Sequence, residues 1–150
     1  MKSLFETDAH QEILNRINNL TDKTEPQWGI MNVGQMLKHC QGPLEVSMGK
    51  KELHANLGFM KKMIFKLFKS SLYNDRLYKP GIPTAPEYVV RTEHDFNTEK
   101  TNLKTVIDEF NSLKNKTDWT EHPLFGNFTP EQWGKAQYKH LDHHLRQFGV

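Results

Sequence analysis

The chain has 150 residues, a quarter of them charged and 36% hydrophobic, the size and balance of one globular domain with room for a core. Its net charge of +2 is too small to mark a nucleic-acid binder by itself, and its single cysteine, Cys40, excludes an internal disulfide framework and suits a reducing compartment. Glu6 and Asp8 follow the start at once and no apolar run of about 18 residues occurs, so neither a signal peptide nor a transmembrane segment is expected, and the expected location is cytoplasmic.

Residues 3–20 place Ile13, Leu14, Ile17 and Leu20 at helical spacing, which predicts a first helix starting near Ser3 or Thr7. Thr21 to Pro26 is a polar break. Asn32 is the expected cap of a second helix whose stripe is Val33, Met36, Leu37, Cys40 and Leu44. On that wheel Cys40 sits near the middle of the stripe and His39 lies about 110° from it. Geometry alone therefore selects Cys40 as the inward residue. Gly42-Pro43 is a place for a kink.

Residues 50–79 carry eight Lys or Arg against Glu52 and Asp75. Within them Phe59, Met60, Met63, Ile64, Leu67 and Phe68 recur at three and four, with Lys61, Lys62, Lys66 and Lys69 between. The expectation is an amphipathic helix packed on the core with a solvated lysine face. The competing reading is a basic helix, 59–69, that meets a partner or a membrane surface. Lys79 to Pro86 reads as an extended loop, and Glu87 to Val90 is too short for a sheet. Asp95 or Asn97 should cap a long helix reaching about Lys116, with Leu103, Val106, Ile107, Phe110 and Leu113 inward. Thr117 to Phe128 is a second break.

The last 22 residues, Thr129 to Val150, read as one helix with a capping box of Thr129 and Gln132 around Pro130. It carries His140, His143 and His144. With His140 at 0°, the apolar face of Trp133, Leu141, Leu145 and Phe148 centres at about 80°, His144 falls at about 40°, and His143 falls at about 300° among Lys135, Lys139 and Arg146. Two imidazoles one turn apart thus point inward at a spacing that suits a shared metal, although buried histidines that only hydrogen-bond in a core are common. The HxxxH lacks the glutamate of a zinc protease helix. Gln137 and Trp133 share the face and either line a pocket or pack the core; Asp142, at about 200°, points outward. The glycines at 29, 34, 42, 49 and 58 follow no phosphate-cradling spacing, and no nucleic-acid motif is present.

Four main helices, one extra amphipathic helix and no strand make an all-α fold, most economically an antiparallel four-helix bundle with a long connection between helices two and three.

The segments WGIMNVGQMLKHC (28–40), HPLFGNFTPEQW (122–133) and KHLDHHLRQFG (139–149), flanking a long middle helix, resemble the DinB/YfiT-like superfamily of metalloenzymes. Within it the chain looks most like small bacterial domains ending in an HHLRQFG-type signature. The resemblance spans the chain, with residues 50–95 matching loosely. It implies a divalent metal held by His39, His140 and His144, and so favours His39 over Cys40. Zinc or nickel suits three imidazoles, with manganese or iron as alternatives. Three ligands leave a position open for water or a small-molecule substrate. The resemblance further implies a thiol S-transferase using a low-molecular-weight thiol, or a hydrolase; it leaves a homodimer open. The reading from a different class is a non-catalytic binding protein with a structural metal or none. Thiol chemistry at Cys40 itself ranks below both, because no resolving partner accompanies it.

Overall fold

The computed structural model describes residues 1–53, 59–82, 84 and 88–150, and only the backbone of 59–62. Gly58, the loop residues Pro83 and Pro86, and Glu87 lie outside the described residues. The described residues form five α-helices: α1 (Thr7–Asn19), α2 (Val33–Ser47), α3 (Phe59–Phe68), α4 (Phe96–Ser112) and α5 (Pro130–Gln147). A 3-10 turn, Lys69–Leu72, follows α3. Among the described residues there is no strand, only an isolated bridge between His122 and Gly126, so the class is all-α.

The starts of α2, α4 and α5 are set by side chains that satisfy orphan N–H groups. Thr129 accepts from the Gln132 amide at 3.2 Å while Gln132 Oε1 accepts from the Thr129 amide at 3.1 Å. Asn32 and Gln35 form the same reciprocal box at 2.9 Å in each direction. Of the two candidates for α4, Asp95 is the cap, accepting from Thr98 N at 2.8 Å. That helix stops at Ser112, short of Lys116, because the amides of Leu113, Lys114 and Lys116 turn back to carbonyls three residues earlier.

α1 packs on α4 and α5, and α2 packs on the same two helices. The core they share includes Ile13 and Ile17, Met36, Leu37 and Leu44, Leu103, Ile107 and Phe110, and Leu141 and Leu145, all buried. Each such side chain contributes about 1.5–3 kcal/mol by leaving water. Val106 is only half-buried. The N-terminal segment crosses α5 closely at Gly134, where a Cβ would come within 2.1 Å of Ser3 Oγ. That closeness lets Leu4 N donate to the Gly134 carbonyl at 2.9 Å.

α3 departs from expectation. Its backbone comes close only to the 3-10 turn that follows it, and among its described side chains Phe65 makes the apolar contact with the body. Phe65 is half-buried against Val46, Leu53 and Leu124, but Met63, Ile64, Leu67 and Phe68 are 54%, 52%, 80% and 61% exposed. Two lysines meet the body of the protein. Lys69 donates to the Asn127 carbonyl with its ammonium 4.5 Å from the Phe128 ring centre, and Lys66 lines a groove with Glu121 and His122. Among the described side chains of the arc, Met63, Ile64, Leu67 and Phe68 do not pack on the core, which α1, α2, α4 and α5 form between them.

Candidate metal centre

α2 and α5 face each other, and the histidines lie between them. His39 and His144 are buried, and His140 is partly so. One ligand nitrogen from each lies within 4.8 Å of the others. His39 Nε2 is 3.2 Å from His140 Nε2, and the ring of His144 stands 4.6 Å from that of His39 and 4.8 Å from that of His140.

His39 is buried although the wheel placed it well off the stripe. α2 packs against α4 on one side and α5 on another, so it buries most of its circumference and a single stripe does not describe it. Cys40 takes the core side, with its Sγ 3.6 Å from Met36 Sδ. Burial pushes its thiol far above the ordinary range, which leaves no thiolate.

Two of the three rings are held from behind. His39 Nδ1 donates to the Tyr88 carbonyl at 2.8 Å, a group that only accepts. Tyr88 reaches there because residue 42 is glycine; a Cβ would stand 2.8 Å from the Tyr88 ring. His144 Nδ1 pairs with Gln147 Oε1 at 2.8 Å, and Gln147 Nε2 donates to the Trp28 carbonyl at 2.6 Å. The Trp28 bond fixes which end of the Gln147 amide is oxygen, so the Gln147 oxygen accepts from His144. In both neutral rings the proton is therefore on Nδ1 and the lone pair on Nε2. His140 Nδ1 is buried with no partner.

Burial, followed by the neighbouring imidazoles, drives His140 well below the usual histidine value; burial likewise lowers His39, and lowers His144 to about 3. All three rings are neutral at pH 7 and offer lone pairs. The His39 Nε2 lone pair faces His140 Nε2 at 3.2 Å; in the metal-free protein the neutral His140 ring donates to it from Nε2, and a bound cation would take the place of that proton. A tetrahedral metal with bonds of about 2.0–2.1 Å needs ligand nitrogens about 3.3 Å apart, and the His39–His140 pair already has that spacing.

The other candidates separate cleanly. His143 is half-buried, not on an open polar face; its ring lies 5.9 Å from Trp28 and 5.6 Å from Tyr78. Lys139, expected on that face, is buried too, its ammonium bonded to the carbonyls of Ser71 and Asn74 and to Asn74 Oδ1. The chain after α3 covers this side of α5, which a wheel cannot foresee. Asp142 is turned from the histidines and pairs with Arg16 at 2.8 Å. Trp133 packs the core, stacked on Phe128 at 4.5 Å and beside Trp119 and His122. Gln137 is buried, with Nε2 donating to the Pro43 carbonyl at 3.1 Å. Sequence reading missed Tyr88, which bonds through its backbone and leaves no residue signal. It also missed Gln147, whose signal was present: an amide three residues after His144, on the same face.

Fold and site together define an all-helical protein with a buried cluster of three neutral histidines. The chain belongs to the family described as protein of unknown function (DUF1569), whose model matches residues 2–149. Neither the curated proteins nor the solved structures contain a match.

Proposed function

We propose that the chain is a single DinB/YfiT-like domain, an antiparallel four-helix bundle of α1, α2, α4 and α5, that binds one divalent metal through His39, His140 and His144 and works as a metal-dependent enzyme. The observation that carries this reading is the convergence of three neutral imidazoles, two of them fixed by acceptors on Nδ1 so that the ring lone pair is on Nε2. Metal-binding histidines are held in this way as a rule.

The chain's own part is positional. The Tyr88 carbonyl and the Gln147 amide hold two rings in one tautomer, and the apolar seam between α2 and α5 keeps the imidazoles neutral. A bound divalent ion would supply Lewis acidity, lowering the pKa of a water or a small thiol toward neutrality. Three protein ligands leave that position open, the pattern of a working site and not of a closed structural one. Zinc or nickel fits three imidazoles best. The reaction class is thiol S-transfer to an electrophile or hydrolysis. Cys40, buried and un-ionised, is not the thiol.

Cobalt(II) gives intense visible bands in a low-coordinate imidazole site. Titration of the metal-free protein should produce them, and His144→Ala should abolish them. The loaded protein is then assayed with a small thiol plus an electrophile and, separately, with an activated ester. Absence of the cobalt bands in the parent would end the metal reading; bands without turnover of either substrate would favour a binding role.

A further inference from the structure

Of the eight large apolar side chains exposed among the described residues, four stand within residues 63–68 of α3. Contiguous apolar surface of this kind marks a place where something else docks. Charge says what. Residues 50–79 hold eight basic and two acidic residues, a local charge of +6, while the rest of the chain holds twelve basic and sixteen acidic, a charge of −4. A second copy docked face to face by a two-fold axis would set +6 against +6. An anionic surface meets the same segment with attraction.

We propose that α3 is a membrane-surface helix: its arc of Met63, Ile64, Leu67 and Phe68 enters the headgroup boundary of an anionic bilayer. The orientation fits a helix lying in the interface, with Met63, Ile64, Leu67 and Phe68 outward and Phe65 anchoring it to the body. No helix of the described residues is long and apolar enough to cross a bilayer, so the attachment is peripheral.

The test is co-sedimentation of the full chain with vesicles of phosphatidylcholine alone and of phosphatidylcholine with phosphatidylglycerol. The parent should bind the anionic vesicles, release in high salt, and ignore the neutral ones. Ile64→Ser/Leu67→Ser, at exposed positions, should weaken binding about tenfold or more while leaving the circular dichroism unchanged. No binding by the parent, or equal binding by the variant, would overturn the proposal. So would sedimentation velocity showing a dimer that the double variant dissociates, because a second copy would then cover the face.

A separate pair of atoms carries a second inference, which rests on the metal reading. His140 Nδ1 is buried without a partner, and so is Gln137 Oε1, one turn earlier on α5. Gln137 is 3% exposed, and its bond to the Pro43 carbonyl, four residues beyond His39, fixes its nitrogen and leaves the oxygen over. Helical side chains lean toward the N-terminus, so His140 leans over the turn that bears Gln137. We infer that Gln137 is the positioning residue for His140, its oxygen taking the Nδ1 proton directly or through one buried water once Nε2 is ligated. Gln137→Met should weaken zinc binding about 10- to 100-fold by chelator competition, and Gln137→Glu, which keeps an acceptor, should restore most of it. Unchanged affinity in Gln137→Met, or equal weakening in both, would overturn the assignment. A parent that takes up no zinc would instead mark failure of the metal reading beneath it.

Discussion

α3 and α5 look alike on a helical wheel, each with an apolar arc and lysines opposite, yet they settle in opposite ways. α5 buries its arc against α1 and α2 and has even Lys139 and His143 met by Ser71, Asn74 and Tyr78, while α3 turns Met63, Ile64, Leu67 and Phe68 to the solvent. Amphipathic spacing says that a face must be covered; it does not say by what. The core decides by being full: α1, α2, α4 and α5 already close on one another.

The widest contrast is between a core substitution and one on α3. Phe110→Ala, at a fully buried ring stacked 4.7 Å from Phe5, should cost about 3–5 kcal/mol in urea unfolding. Leu67→Ala should change stability in free solution by no more than about 0.5 kcal/mol. A large loss at Leu67 would mean that the face is covered within the fold, and the contrast would collapse.

Next in size is the frame of the site. Gln147→Leu breaks the bonds to His144 and to the Trp28 carbonyl at once, and should cost about 1–3 kcal/mol of stability together with about 10-fold or more in zinc affinity. Equal melting temperatures and zinc affinities for parent and variant would contradict this role.

Acid should act through His122 as well as the triad. Burial among Phe125, Phe128 and Trp133 lowers His122 to about 4. The unfolded ring titrates near about 6.5, so its contribution is complete above that pH and is lost as pH falls, at up to about 1.4 kcal/mol per unit toward 4. His122→Phe should flatten the stability–pH profile of the metal-free protein by that slope; an unaltered profile would show that the ring does not titrate as described.

The caps Thr129, with its box partner Gln132, and Asn32 were legible because they are local; the return bond of Gln35 to Asn32 went unread, although it needs only sequence spacing. The pairing of His140 with His144 was legible for the same reason. His39 was not, since a helix packed on two sides buries residues that a one-stripe wheel assigns to its edge. The burial of Lys139 and His143 depends on a segment more than sixty residues away in sequence. The acceptor behind His39 is a backbone carbonyl, which every residue has.

The most direct measurement is metal content by mass spectrometry on protein purified without chelator, set beside His140→Ala. The account expects about one equivalent of zinc or nickel per chain in the parent and none in the variant. No metal in either, with no uptake of zinc, nickel or manganese on dialysis, would contradict it.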